Sequence, residues 1–299
     1  MRAHLPVLYE EVLASLAPRA GGRYIDATLG GAGHAVGLLK ESSPDGCLLG
    51  IDRDLQALAI AHEALAEFGD RAVLVQGSFA ELQEIAGQCN FGPVEGIVMD
   101  LGLSTMQLTS PERGFSLQLP GSLDMRFDRS QELTADELVN DLSERELADL
   151  IYQYGEEWLS RRIARAIVQA RPLHTTDELA AVVARAVRRR GRIHPATRTF
   201  MALRIAVNDE LSALSSGLEQ AIAALAPAGR LAVISFHSLE DRIVKNCFRQ
   251  HAKPAEQGVT PDWKIVTAKP VCPTREEQLA NPASRSAKLR VGEKLASTV

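Results

Sequence analysis

Apolar residues cluster in short bursts through the first hundred positions. Tyr24-Ile-Asp-Ala-Thr, Cys47-Leu-Leu-Gly-Ile-Asp52, Ala72-Val-Leu-Val-Gln76 and Gly96-Ile-Val-Met-Asp100 each pack three or more apolar residues into a short run. Runs of that length, edged by turn formers, read as buried strands. Between them the period changes. Leu38-Leu39-Lys40 closes a helical pattern after the first strand, and Leu55 to Phe68 is alanine-rich at helical spacing. Strands alternating with helices predict βαβ units and a parallel sheet. The sheet signal resumes at Arg230-Leu-Ala-Val-Ile-Ser-Phe236.

The stretch between the fourth strand and that fifth one carries almost no strand signal. It carries helix starts instead: Thr134-Ala-Asp-Glu137, Ser143-Glu-Arg-Glu146 and Thr175-Thr-Asp-Glu178 all match the capping-box pattern. A strand-to-helix connection is normally only a few residues, so 108–200 is expected to be an inserted helical subdomain. The flanking segments 1–107 and 201–299 then form the two parts of one α/β domain. A single helix is expected from Thr199 to Ala226. The tail after Gln250, rich in proline and polar residues, should be mostly loop with a short edge strand or two.

Charge changes this picture more than composition does. The 45% apolar and 24% charged content is ordinary for a globular chain. Net charge is −5, yet positions 161–204 hold eleven arginines against Asp177 and Glu178, a local +9 beside −14 for the remainder. Such asymmetry can steer a polyanion to one face, although a solvated helix surface has the same composition. Arg188, Arg189, Arg190 and Arg192 are the densest group and are candidates for phosphate contact. Cys47, Cys89, Cys247 and Cys272 show no C-x-x-C, which argues for reduced thiols in the cytoplasm and against a zinc site. Glu10 and Glu11 leave no room for a signal or transit peptide, and no apolar stretch reaches the length of a membrane span.

Candidate chemistry lies at the strand ends. Gly30, Gly31 and Gly33 give a turn between strand and helix that lets backbone N–H groups approach a ligand. Asp52, ending the next strand, is placed to accept hydrogen bonds from a ribose diol. Phe79, after the third strand, could stack on an adenine. These features fit NAD as well as S-adenosylmethionine, but the spacing does not match G-x-G-x-x-G. Asp100-Leu-Gly-Leu-Ser104 ends the fourth strand where a transferred methyl group would sit. Asp100 could hydrogen-bond the amine of a base and turn its lone pair, or hold the donor's amino group; both roles are kept. His237, after the fifth strand, is a candidate substrate contact or a satisfied loop histidine. Its neighbours Ser238 and Asp241 suggest another capping box. Ser116 to Asp128 is either a substrate clamp or a surface turn.

These residues resemble one family nearly end to end: the bacterial small-subunit ribosomal RNA methyltransferase H family of N4-cytosine methyltransferases. The resemblance is carried by His4-Leu-Pro-Val-Leu8, Asp26-Ala-Thr-Leu-Gly-Gly-Ala-Gly-His34, Gly50-Ile-Asp-Arg-Asp54, and Asp100-Leu-Gly-Leu-Ser104 with Gln107. Glu112-Arg-Gly-Phe115, Leu123-Asp-Met-Arg126, Tyr154-Gly-Glu-Glu157 and Arg162-Ile-Ala-Arg-Ala-Ile167 also carry it. His194-Pro-Ala-Thr-Arg-Thr-Phe200 and Ser235-Phe-His-Ser-Leu-Glu-Asp-Arg242 are the longest matches. It implies a Rossmann-like class I methyltransferase sheet and S-adenosylmethionine as donor. The implied acceptor is a cytidine of the decoding region of small-subunit (16S) ribosomal RNA, free or within an assembling 30S subunit. Donor contacts would fall on Ala32, Gly33, His34, Asp52, Phe79, Asp100 and Gln107, with RNA contacts extending to Arg198 and His237. Ala32 stands where the family has glycine. A homodimer is left open, no metal is expected, and no membrane is involved. The competing expectations are a methyltransferase for DNA or protein, and a ribosome-assembly factor that binds RNA without turnover.

Overall fold

The computed structural model describes residues 6–187, 193–253 and 261–296. Its chain separates into two compact units, Met1–Gly102 with Leu211–Val299, and Leu103–Glu210. The first unit opens with α1 (Tyr9–Leu16), β1 (Arg23–Asp26), α2 (Gly33–Glu41), β2 (Cys47–Asp52), α3 (Leu55–Leu65), β3 (Ala72–Gln76), α4 (Leu82–Gln88) and β4 (Val94–Asp100). The second holds α5 (Thr105–Thr109), α6 (Ala135–Asp141), α7 (Glu144–Gly155), α8 (Ser160–Ala170), α9 (Thr176–Val187) and α10 (Thr197–Asn208). The chain returns through α11 (Glu210–Ala224) to β5 (Leu225–Ser235), α12 (Ser238–His251), β6 (Trp263–Ile265), α13 (Arg275–Ala280) and β7 (Lys288–Lys294).

The strands order as β3-β2-β1-β4-β5-β7-β6. β1 to β5 run parallel, and β7 runs antiparallel to both its neighbours. This is the Rossmann-like class I methyltransferase sheet that the sequence led us to expect. Because side chains alternate along a strand, each strand feeds two cores. Tyr24, Leu48, Val98 and Ile234 pack with α1, α2 and α3. Ile25, Leu49, Ile97, Met99 and Val233 pack on the other face with α4, α11 and α12. Near-continuous apolar strands are what two covered faces require.

Three expectations are corrected. The tail does not supply edge strands alone: β7 lies between β5 and β6, with Leu289 and Val291 fully buried, and β6 is the edge. Trp263 of β6 covers Gly292, where a Cβ would come within 2.1 Å of the indole. The helix from Thr199 to Ala226 is two helices, broken at Asp209 with φ +48°. The fifth strand begins at Leu225 rather than Arg230, with a register shift opposite Val94 and Gly96.

The second unit is helical, with Leu147, Ile151, Ile163, Ile167, Leu179, Val183 and Leu203 in its core. The boxes at Thr134–Glu137 and Ser143–Glu146 are complete. At the third, Glu178 Oε2 accepts from the backbone N–H groups of His174 and Thr175. Leu123-Asp-Met-Arg126 is not a surface turn. Leu123 and Met125 are buried, and Asp124 binds Arg126 through both carboxylate oxygens at 2.7 and 3.0 Å. Among the described residues no helix is long and apolar enough to cross a membrane.

Candidate active site

Three neighbouring parallel strands end in carboxylates. Asp26 closes β1, Asp52 closes β2 on one side, and Asp100 closes β4 on the other. The turn from Ala27 to Ala32 is tied to all three strands. Ala27 N–H donates to Val98 O at 2.9 Å and Leu29 N–H to Ile51 O at 3.0 Å. Thr28 Oγ1 accepts from the Asp100 amide at 2.6 Å, and Thr28 N–H donates to Asp26 Oδ1 at 3.2 Å. Gly30, at φ +49°, donates its N–H to Asp52 Oδ2 at 2.8 Å. Asp52 Oδ1 accepts from Asp54 N–H at 2.9 Å. A carboxylate has about four acceptor sites, so Asp52 holds the loop and keeps capacity for a diol.

Glycine is needed at Gly33 because a Cβ there would meet Pro6 Cγ at 2.3 Å. At Gly31 a Cβ would meet nothing within 4 Å; that backbone faces open space. Ala32 takes the left-handed conformation, φ +61°, and caps α2. His34, on the first turn of α2, is buried, with Nε2 3.1 Å from Val7 O. A carbonyl only accepts, so Nε2 carries the proton. Burial pushes the ring's pKa down to about 4, so His34 is neutral and turns its bare Nδ1 toward Asp100 Oδ2, 3.9 Å away.

The electrostatics of the strand ends are unbalanced. Burial raises Asp26 to about 7 against its hydrogen bond from Thr28, with Asp52 adding to the shift. Burial, then Asp26 and Glu240, hold Asp100 well above the ordinary carboxylate range. Burial also raises Asp52. Asp100 Oδ1 is buried with no hydrogen-bond partner. Among the described residues no lysine or arginine pairs with any of the three acids. Buried carboxyls without cations are costly unless they are neutral or compensated from outside. A ligand with positive charge fits this place, and an anionic pyrophosphate does not. S-adenosylmethionine brings a sulfonium and an ammonium, so the residues present fit it better than NAD.

Phe79 follows Ser78, whose side chain caps the short turn after β3. One side of its ring lies on Gly217 of α11, where a Cβ would come within 2.5 Å. Gln220 Nε2 donates to Ala80 O and fixes that turn from the same helix. Gln107 belongs to the second unit. It is buried, and its Oε1 accepts from Ser104 N–H at 3.0 Å in a complete capping box. His237 is itself the N-cap of α12: its Nδ1 accepts from Glu240 N–H, and Glu240 Oε2 accepts from the Phe236 amide at 2.8 Å. The box expected at Ser238–Asp241 is therefore His237–Glu240, and Asp241 instead binds Arg290 of β7 at 2.7 Å. His237 Nε2 is buried 3.2 Å from Glu240 Oε1.

Arg198 donates to Glu156 O at 3.0 Å and lies 3.7 Å from Glu157, which ties it to the turn between α7 and α8. Arg188, Arg189, Arg190 and Arg192 lie outside the described residues. Sequence reasoning placed Asp26 in the donor motif without giving it a contact, and it passed over Trp158. Asp26 ends its strand as Asp52 and Asp100 do, and that parallel was the available signal. Trp158 is 80% exposed with its edge against Tyr152, ring centres 5.8 Å apart. An indole between two glutamates and two arginines was a visible sign of an unburied aromatic.

Residues 1–295 match the model of the MraW methylase family. The chain is 51% identical to ribosomal RNA small subunit methyltransferase H of Dehalococcoides mccartyi, over 98% of this chain and 86% of that one. It is 50% identical to the proteins of the same name from Nostoc sp. (99% and 94% covered) and Geobacter sulfurreducens (98% and 99%).

Proposed function

The chain belongs to the MraW methylase family, is a methyltransferase dependent on S-adenosylmethionine, and we propose that it methylates N4 of a cytidine in the decoding region of small-subunit ribosomal RNA. Identity of about half over nearly the full length to proteins named for that subunit's RNA carries the substrate class. The choice of N4 rests on the resemblance of the motifs and on what Asp100 can do.

The donor would supply an electrophilic methyl group on a sulfonium, and the glycine turn and the acids ending β1, β2 and β4 would hold it. Asp52 would receive the ribose diol and Phe79 would stack on the adenine, with Ala32, Gly33, His34 and Gln107 as further donor contacts. An exocyclic amine is a weak nucleophile because its lone pair is delocalised into the ring. Asp100 Oδ1, buried and unpartnered, accepts an N–H of that amine and turns the lone pair toward the methyl carbon. With a cationic donor beside it Asp100 would be ionised, and it would take the proton that the amine loses on methylation and return it to solvent. His34, held neutral, does not compete for it.

The target base must leave its stack to reach such a site. The helical unit, which we assign to RNA recognition, carries exposed Arg161, Arg162 and Arg165 and the exposed Trp158, a set suited to phosphates and to an unpaired base. Arg188, Arg189, Arg190 and Arg192 are proposed to add phosphate contacts, with Arg198 and His237 nearer the base. The setting is the cytoplasm, on an assembled or assembling small subunit.

The test is mass spectrometry of small-subunit ribosomal RNA at nucleotide resolution, from cells with and without this chain. Loss of one N4-methyl mark on a decoding-region cytidine is expected. Unchanged RNA, with methyl transfer to DNA or protein by the purified chain, would overturn the assignment.

A further inference from the structure

Away from the donor site, the sheet unit holds a group of side chains that methyl transfer does not use. Cys247 and His251 stand one turn apart on one face of α12, and Glu219 of α11 faces both. Glu219 Oε2 is 2.8 Å from His251 Nε2, and Oε1 is 3.6 Å from Cys247 Sγ. One ligand atom from each residue lies within 4.8 Å of the other two. Cys247 and His251 are partly buried, whereas Glu219 is 55% exposed, so solvent reaches the group from the carboxylate side.

We propose that Glu219, Cys247 and His251 form a zinc site that clasps α11 to α12. Sulfur, imidazole and carboxylate together suit a borderline-soft cation; calcium and magnesium prefer oxygen alone. Tetrahedral zinc with ordinary bond lengths needs its ligand atoms roughly 3.3–3.8 Å apart. The two short contacts use different carboxylate oxygens, Oε1 toward Cys247 Sγ at 3.6 Å and Oε2 toward His251 Nε2 at 2.8 Å, so the carboxylate has to rotate to set one oxygen at bonding distance from a shared ion. Glu219, half in solvent, can make that rotation without moving either helix. Three protein ligands leave the fourth position to water. A thiolate and a carboxylate neutralise the ion, so the occupied site carries no net charge.

Without an ion, burial and the neighbouring Glu219 carboxylate push the Cys247 thiol up to about 12. A divalent cation reverses that balance, and binding releases the thiol proton to solvent. The sequence conceals the site because its third ligand comes from another helix, 28 residues before Cys247 and 32 before His251. A search for C-x-x-C does not find such an arrangement.

The test uses the tag-free full chain stripped of metal and titrated with cobalt(II), then with zinc. We expect one cobalt per chain, with a thiolate-to-cobalt charge-transfer band and the intense visible absorption of a tetrahedral ion, both removed by zinc. Cys247→Ser should lose the charge-transfer band. His251→Ala should weaken zinc binding by more than about tenfold, with circular dichroism unchanged in both variants. Wild-type cobalt binding without a thiolate band would overturn the site. So would equal stoichiometry and affinity in Cys247→Ser and His251→Ala, which would place the ion on other thiols.

Discussion

Buried polar groups fare differently in the two units. In the helical unit they bond to one another. Asn208 donates to Met125 O and Arg204 O and accepts from Phe127 N–H, all within 2.9 Å. Arg204 and Glu210 form a two-bond pair at 2.7 and 2.8 Å, and the fully buried Arg113 donates to Arg126 O and Phe127 O. Thr199 Oγ1 and Arg113 Nε, which make no hydrogen bond, are exceptions. In the sheet unit Asp26, Asp52 and Asp100 converge with no cation, and Asp100 Oδ1 is bonded to nothing. Folding alone gives no reason to retain such a group, since replacing it by an apolar residue would cost less. A buried polar residue is thus no sign of function in itself; three buried carboxyls gathered at neighbouring strand ends without a cation are.

The largest effect expected from that contrast is at Asp100. Asp100→Ala should lower single-turnover methyl transfer at saturating donor by about 10²- to 10⁴-fold. Thermal stability should hold or rise, because a desolvated carboxyl with an unmet oxygen is removed. Turnover near the wild-type rate would return Asp100 to the class of structural polar groups.

Asn208→Ala should do the reverse. It strands Phe127 N–H and Met125 O inside the protein, at a cost of about 2–4 kcal/mol in denaturant unfolding. Donor affinity measured by calorimetry should be unchanged. A variant that kept its stability and lost the donor would break the comparison.

How far the sequence revealed these two classes depends on where partners come from. Strand ends were legible, because an apolar run closing on an acid marks both the strand and the crevice beyond it; Asp52 and Asp100 were found that way. The helical insertion was legible through its capping boxes, whose partners are three residues apart. What stayed hidden were partners distant in sequence. Asn208 bonds to residues 81 and 83 positions earlier, so Leu123-Asp-Met-Arg126 could not be told from a surface loop. Gln107 was singled out for the donor, and its capping bond to Ser104 went unnoticed. The break at Asp209 left no signal because its left-handed residue is not glycine. β7 was misplaced because its interior position comes from pairing with β5, which no local pattern records.

Proton linkage offers a third, smaller test. With Asp26 raised to about 7, its proton must leave when a cationic donor binds. Donor affinity should therefore rise with pH up to about 7, by at most about tenfold per pH unit for one proton. In the empty protein the sign is opposite. A carboxyl whose folded pKa exceeds its ordinary 3.8 contributes stability that is full below that value and is lost as pH rises to about 7. His34, depressed from 6.5 to about 4, works against this over the same range, with a contribution present above 6.5 and lost as pH falls. Asp26→Asn separates the two: it should flatten the rise in donor affinity and leave the histidine's part of the stability profile. An affinity profile with the wild-type slope would show that Asp26 stays neutral throughout.

The smallest effect is expected at Ala32, which holds a left-handed backbone in the turn. Glycine would meet that backbone without strain, and alanine there costs about 1–2 kcal/mol. Against that, the Ala32 methyl is fully buried, and burying one carbon contributes about 0.8 kcal/mol. Alanine also restricts the unfolded chain, which adds about 0.4–1 kcal/mol in its favour. The terms nearly cancel, so Ala32→Gly should leave stability within about 1 kcal/mol of wild type. Donor affinity should move little as well, because Ala32 already holds the conformation a glycine would take and the turn is fixed by Thr28 and Gly30. A large gain in donor affinity would mean that the methyl distorts the loop. The sheet unit would then hold its strand-end acids in place at the expense of the turn, and the contrast with the self-satisfied helical unit would sharpen.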